Sequence, residues 1–344
     1  MTDESVEICR LGNPEWSALL RHFDDANIYQ THSCGKMLWG KAKAEHMIVR
    51  NGREPVGIAQ VALVKAPLIR GGTALVFWGP LWKRKGLPEN IAVFFKIAEA
   101  LMSEYVARRG MLLRVIPNQL GRNTTEMRSH LEKAGFLYKG GFYRTYLLDL
   151  SLPADQLRKR LHQKWRNCLN RSEKEALTVS DGTDIDSYDA FCDLFKDMWV
   201  RKKFTDIPIE PAKLRLILQD LPDDLKLRIF LCRKEEKPLA GAVISAIGNT
   251  AVLLSAASSE EGRNVMASYF LEWKIVEWLR GRGIGTYDLG GISPAHPSVN
   301  HFKEGLGGEE AGHAGLFELC TNRFSSVFDK TLGLMRTLRS GGRL

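Results

Sequence analysis

One order of elements occurs twice along this chain, which restricts it to two similar units rather than one large core. Arg53-Glu54-Pro55-Val56-Gly57-Ile58-Ala59 resembles Glu236-Lys237-Pro238-Leu239-Ala240-Gly241-Ala242, and Arg108-Arg109-Gly110-Met111 resembles Arg282-Gly283-Ile284. Lys133-Ala134-Gly135-Phe136 takes the place that Lys303-Glu304-Gly305-Leu306 takes later. The matches keep the same order, and 344 residues leave room for two cores.

Local signals predict the elements. Asn13-Pro14 opens a helix, with asparagine as its cap. Strands follow at 46–50 and 56–65, joined at Asn51-Gly52, a strong hairpin pair. A strand runs through 73–78, a helix starts at Pro88, and a strand, a helix and a strand follow at 111–116, 124–134 and 136–150. The second half repeats this pattern. Helices are predicted at 153–176, 184–203 and 211–219, and strands at 225–233, 239–247 and 251–257. A long helix is expected at 264–280, a strand at 284–289, a short helix leading to 302–304, a strand at 316–320 and a basic helix at 323–344. The fold class is α+β, with a mixed, helix-flanked sheet in each domain. The domains are expected at 1–150, joined by the helix 323–344, and at 151–322.

Composition excludes some classes. Apolar content of 44% and charged content of 26% are ordinary for a globular chain. The polar start, Met1 to Glu7, leads us to expect no signal peptide. No apolar run reaches the about 18 residues of a membrane span. The six cysteines form no C-x-x-C pair, which suits free thiols in a reducing cytosol. His296 and His301 are poorly spaced for one helix face, so no metal is expected. Lysine and arginine exceed aspartate and glutamate by 49 − 40 = 9. Such an excess suits a polyanionic partner such as RNA, a phosphorylated substrate or an anionic membrane, and also occurs in proteins with none.

Several chemistries lack their signatures. There is no G-x-x-x-x-G-K-[ST] loop and no G-x-S-x-G elbow. Gly281, Gly283 and Gly285 precede a strand, so they are not a dinucleotide turn. No paired-carboxylate motif stands out. What remains is chemistry that needs positioning and charge stabilisation, such as acyl transfer to an amine, and no cofactor is expected.

Two segments are candidates for such a site. Tyr287-Asp288-Leu289-Gly290-Gly291 ends a strand at two glycines, and Phe302-Lys303-Glu304-Gly305-Leu306-Gly307-Gly308 brings an aromatic and a lysine to a second glycine turn. A lysine held there can neutralise negative charge on a substrate or intermediate. The same text also suits a plain turn with a solvated lysine. In the helix after Pro153, Leu157, Leu161, Trp165, Cys168 and Leu169 form an apolar stripe, beside which run Arg160, Lys164, Asn167, Arg171 and Lys174. Asp155 to Glu175 holds seven Lys/Arg against three Asp/Glu, which fits either a phosphate-binding row or a solvated face. Arg201-Lys202-Lys203 suits a helix C-terminus on dipole grounds, while Arg201 could also clamp a phosphate.

The repeated units look like the GNAT acyltransferase fold used twice. The local text resembles the FemABX family of aminoacyltransferases over nearly the whole chain, above all in Leu157–Glu175, Asp197–Phe204, Tyr269–Trp273 and Tyr287–Gly308. The resemblance implies transfer of an aminoacyl group from aminoacyl-tRNA to a side-chain amine of a peptidoglycan stem peptide, on a UDP-linked or lipid-linked muramyl pentapeptide. The first domain would bind the acceptor and the second would carry the transfer. Lys303 would match the family lysine that stabilises the anionic tetrahedral intermediate, with Phe302 stacking nearby. Arg201 would match an arginine on the precursor's diphosphate, Lys36 a first-domain lysine sharing that task, and Tyr269 a residue lining the cleft. Arg160, Lys164, Arg171 and Lys174 would face tRNA phosphates. A surface lysine and a core-edge tyrosine are equally good accounts of Lys36 and Tyr269.

The chain departs from the family pattern in two ways. Where members often end a strand in Asp-Pro, it has Ile116-Pro117, and no general base is apparent. It also lacks the long helical-hairpin insertion that some members carry in the second domain. The expected location is cytoplasmic, with peripheral contact at an anionic inner membrane. The alternative is a GNAT-type N-acyltransferase using acyl-CoA, which usually has an R/Q-x-x-G-x-G/A turn for the pyrophosphate. The corresponding Glu261-Gly262-Arg263-Asn264-Val265-Met266-Ala267 does not fit that turn. A second alternative is a non-catalytic RNA- or membrane-surface-binding protein, which would have no use for Lys303.

Overall fold

The computed structural model describes residues 4–40, 43–65, 71–141, 143–202, 211–322 and 325. The chain divides into two compact units, Met1–Tyr143 with Gly312–Arg343, and Arg144–Ala311.

The first unit opens with β1 (Glu4–Cys9), α1 (Asn13–Leu20), α2 (His32–Trp39), β2 (Lys43–Asn51) and β3 (Glu54–Lys65). It continues through β4 (Gly72–Phe77), α3 (Ile91–Leu101), β5 (Leu112–Ile116), α4 (Thr124–Lys133) and β6 (Leu137–Tyr138). The second unit contains β7 (Arg144–Asp149), α5 (Ala154–Arg160), α6 (Gln163–Ser172), β8 (Leu177–Gly182), α7 (Ile185–Lys202) and α8 (Pro211–Asp220). Then come β9 (Arg228–Lys234), β10 (Lys237–Ile247), β11 (Thr250–Ser258), α9 (Glu260–Asn264), α10 (Ala267–Gly281), β12 (Thr286–Asp288), α11 (Pro297–Gly305) and β13 (Glu309–Gly312). Finally β14 (Phe317–Leu319) completes the first unit's sheet.

Among the described residues each sheet has seven strands, in the orders β1-β2-β3-β4-β5-β14-β6 and β8-β9-β10-β11-β12-β7-β13. The orders correspond strand for strand. In each the parallel pair falls in the same place, β4 with β5 and β11 with β12. The sheets are mixed, as the repeat predicts. The middle strands β3, β4 and β10 are buried along most of their length, as expected of strands covered on both faces. One core gathers Val61, Val76, Phe94, Leu113 and Phe317, and the other gathers Trp165, Ile244, Leu271, Ile275 and Tyr287.

The structure corrects several expected boundaries. The strand expected over 136–150 is two strands, because Gly140, at φ +103°, ends the first. Its second part, β7, pairs with β12 (Tyr287 opposite Leu148), while β14, expected in the second domain, pairs with β5 and β6. The divisions therefore fall at 143/144 and 311/312 rather than at 150/151. The helix expected over 153–176 breaks at Leu161, whose ψ of 136° is extended. The long helix expected over 264–280 is α9 followed by α10, separated at Met266, at φ +57°. α1 is capped by Gly12, with Asn13 as its first residue, and α3 begins at Ile91 because the Asn90 side chain accepts from Ala92 N at 3.1 Å. The edge strands β1 and β8 had no counterpart in the sequence reading. Lys203, Phe204 and the expected basic helix 323–344, apart from Ser325, lie outside the described residues.

Candidate functional site

The site in the second unit is built where β12 ends. The Asp288 carboxylate accepts from Gly290 N at 2.8 Å and lies against Thr145 Oγ1 on β7. That bond folds the chain back sharply, and Gly290 takes φ +78°. A Cβ at Gly290 would lie 2.8 Å from Leu253 O and 3.4 Å from Lys303 Nζ, so only glycine fits both the backbone and the space. α11 returns to the turn with proline in its first turn, and Asn300 ties it to the loop by donating to Ser293 O at 2.7 Å.

This return places Lys303 one turn from the end of α11. Its Nζ donates to Gly290 O at 2.9 Å and Gly291 O at 3.0 Å. An ammonium has three donors, so two backbone carbonyls leave one for another acceptor. Burial pushes the Lys303 pKa down to about 8, against the attraction of Asp288 and Glu272. Glu272 of α10 lies in the same buried cluster, and burial raises its pKa to about 7. Tyr287 Oη is beside the Glu272 carboxyl, yet neither that hydroxyl nor Glu272 Oε1 makes a hydrogen bond of normal geometry.

Three aromatic rings flank the lysine. Phe302 is 4.9 Å from Tyr269 and 5.7 Å from Trp165, and Trp165 is 5.0 Å from Tyr269, between ring centres. Gly305 seats α11 on α6, since a Cβ there would meet Trp165 Cδ1 at 2.9 Å. The Tyr269 pKa is pushed up to about 12, first by burial and then by Cys168.

Of the residues expected from sequence, Lys303, Phe302 and Tyr269 therefore come together. Arg201 stands at the end of α7, where its Nη2 donates to Ser258 O at 2.6 Å and its Nη1 is buried without a partner among the described residues. Lys202 and Arg263 are near it, and burial together with these two arginines lowers the Lys202 pKa. Lys36 is exposed on α2 in the first unit. Arg160 ends α5, Lys164 and Arg171 lie two turns apart on α6, and Lys174 follows that helix. All four are exposed, and none has an ion pair among the described residues, whereas Arg158 is taken by Glu173 at 2.6 Å and Lys159 by Asp155 at 3.4 Å. The sequence reading assigned no role to Glu272, Asp288 or Arg263. Glu272 had a signal: it shares a helical stripe with Ile275, Val276 and Leu279, all buried.

Among the described residues no cluster of three His, Cys, Asp or Glu side chains is placed to hold a metal ion, and no helix is long and apolar enough to cross a membrane.

Comparison with known proteins follows this geometry. Residues 156–304 match the family described as acetyltransferase (GNAT) domain. No curated protein sequence matches the chain. The chain is similar to a structure of FemX, with a TM-score of 0.78 and 16% identity, covering 95% of this chain and 99% of that one. It is also similar to the C-terminal domain of an Agrobacterium fabrum protein provisionally described as a lysylphosphatidylglycerol synthetase, at TM-score 0.55 and 16% identity over 96% and 98% of the chains. A third likeness is to L-PGS from Bacillus licheniformis, at TM-score 0.50 and 14% identity over 85% and 88%. The fold is thus that of FemX, two GNAT-like units in tandem, and the match to the GNAT acetyltransferase domain falls in the second unit.

Proposed function

We propose that this protein is an aminoacyltransferase that moves an amino acid from aminoacyl-tRNA to a side-chain amine of a peptidoglycan precursor stem peptide. The acceptor is a UDP-linked or lipid-linked muramyl pentapeptide, met in the cytoplasm or at the inner membrane surface. One arrangement carries the reading: an ammonium held by two backbone carbonyls at a strand end, with its third donor uncommitted among the described residues.

The acceptor amine attacks the ester carbonyl carbon of the charged tRNA. A C–N bond forms and the ester C–O bond breaks, and the proton lost by the amine ends on the departing ribose oxygen. Negative charge gathers on the carbonyl oxygen between these events, and Lys303 supplies a fixed positive donor for it. Positioning provides much of the remaining acceleration. The exposed row Arg160, Lys164, Arg171 and Lys174 supports a phosphate-rich donor, because among the described residues no carboxylate pairs with these cations. Arg201, whose buried Nη1 has no partner among the described residues, suits the acceptor's diphosphate.

The match to an acetyltransferase domain favours a second reading, with acyl-CoA as donor. The turn before α9 weighs against it. Ser259 Oγ already accepts from Gly262 N at 2.9 Å, and Glu260 and Glu261 would repel a pyrophosphate there. The test is transfer of radiolabelled amino acids from mixed charged tRNAs onto muramyl pentapeptides, with an acyl-CoA arm in parallel. Label on the precursor in the tRNA arm alone is the expected result. Label only with acyl-CoA, or in neither arm, would overturn it.

A further inference from the structure

The neighbourhood of Lys303 contains a group that the transfer chemistry just described does not use. Glu272 stands on the inner stripe of α10, 4% exposed, among Ile275, Val276 and Leu279. A carboxyl in such a place normally has hydrogen-bond partners, because an unpaired buried polar atom is costly. Among the described residues Glu272 Oε1 has no partner of ordinary hydrogen-bond geometry; the wholly buried Tyr287 hydroxyl lies beside the carboxyl and favours its ionised form. Helix α10 would pack as well with an aliphatic residue here, so packing does not explain the acid.

The charged surroundings do. Lys303 must remain an ammonium in a place that burial makes unfavourable for one. Its two backbone acceptors, Gly290 O and Gly291 O, orient the nitrogen without carrying a full charge. The two carboxyls that reach it electrostatically are Asp288 from β12 and Glu272 from α10. Asp288 is already committed to Gly290 N and Thr145 Oγ1, whereas the Glu272 carboxyl has one oxygen without a partner of ordinary geometry among the described residues. Tyr287 and Lys303 are the titratable groups that reach Glu272 in turn. From α6, which packs on α10, Cys168 acts on Tyr269 instead.

We propose that Glu272 is a positioning residue for Lys303, a buried counter-charge that keeps the lysine an ammonium and holds it at the β12 turn. The proposal rests on the reading of Lys303 as the charge-stabilising group, deepens it, and adds no contact between Glu272 and substrate. It also predicts a reciprocal effect: removal of the Lys303 charge makes Glu272 harder to ionise.

The test reads the lysine directly, so it does not depend on knowing the substrate. The full-length protein is labelled with a trace of acetic anhydride between pH 6 and 10, and acetylation of Lys303 is followed by peptide mass spectrometry. The wild type is compared with Glu272→Gln, which keeps the shape and removes the charge. At pH 7 Lys303 should be labelled about fivefold faster in the variant, with its titration displaced about one pH unit downward. Tyr287→Phe, which removes the hydroxyl beside the Glu272 carboxyl, is the second variant and should move the titration in the same direction by less. An unchanged Lys303 titration in either variant, with its fold confirmed by circular dichroism, would overturn the proposal. A displaced titration in a protein that transfers label from neither donor would keep the Glu272–Lys303 pairing and overturn only the functional reading. If transfer is observed, the alkaline limb of kcat/KM should move downward with the labelling curve.

Discussion

Lys303→Met separates the cost of the lysine's charge from its use. A lysine whose pKa falls from 10.5 to about 8 carries its proton in the folded state at a cost of about 3 kcal/mol relative to water. The side chain is not fully sealed from solvent, so this figure is an upper bound. Methionine keeps most of the length, one atom short, and removes the charge. The Gly291 carbonyl is exposed and regains water, and the Gly290 carbonyl shares the Thr145 hydroxyl, 2.9 Å away, with Asp288, so only part of a hydrogen bond is lost in exchange. The expected net gain at pH 7 is about 2 kcal/mol, or roughly 4–8 °C in the melting of a unit of this size. The sign with pH is fixed as well. Between about 8 and 10.5 the unfolded chain binds the lysine's proton and the folded chain does not, so the Lys303 contribution to stability rises with pH across that window. Below it the contribution is flat. Lys303→Met should lose this rise while its turnover drops roughly 100-fold, the usual effect of removing one oxyanion donor. Calorimetry from pH 7 to 10, beside the transfer assay, measures both. A methionine variant that melts below the wild type at pH 7, with the wild-type pH dependence, would refute the reasoning. Lys303→Arg gives a further check: arginine stays charged, so the loss of kcat/KM above about pH 8 that reports the lysine should vanish.

Four further outcomes are expected. Gly290→Ala should abolish transfer, because its Cβ meets Leu253 O at 2.8 Å, and a melting temperature well below wild type in calorimetry would register the strain. Arg201→Ala should weaken the nucleotide-linked acceptor by about 1.5–3 kcal/mol, the worth of a hydrogen bond to a charged group; isothermal titration reads it, and equal affinity removes Arg201 from the site. In the first unit Glu318→Ala removes one carboxylate partner of Arg114, paired at 2.7 Å and 2% exposed, and should cost up to about 3–5 kcal/mol in urea unfolding; a loss under about 1 kcal/mol contradicts this. Burial lowers the His46 pKa to about 4, and its Nδ1 accepts from Leu11 N at 3.0 Å, so stability should be full above pH 6.5 and be lost as pH falls toward 4. Urea midpoints at pH 7, 5 and 4 should show that loss reduced in His46→Gln.

What the sequence revealed and what it hid divide along physical lines. The hairpin at Asn51-Gly52 was legible because its signal lies within two residues, and Gly52 does take φ +58°. The β12 turn was legible for the same reason: Gly290 is needed by its own backbone and by the lysine that meets it. Edge strands β1 and β8 were not, since a strand paired on one side only tolerates polar text such as Glu4-Ser5-Val6-Glu7 and Thr178-Val179-Ser180-Asp181. The exchange of β7 and β14 between the sheets was hidden because pairing partners are chosen across the whole chain, and each short strand is locally compatible with either unit. Lys303 announced itself through the glycines around it.

Glu272 marks where the two kinds of information meet. Letter by letter it is one more charged residue in a helix that ends in arginine and contains Lys274 and Glu277. By period it is a polar residue in a stripe that is otherwise core, three, four and seven positions before Ile275, Val276 and Leu279. A helix designed only to fold would place an apolar residue there, because a buried acid with an oxygen left without a well-formed hydrogen bond loses free energy that packing does not restore. Such an exception makes physical sense when another group needs its charge. Of the two groups that reach the Glu272 carboxyl, Tyr287 and Lys303, the lysine is the one that must hold a charge in the same buried ground.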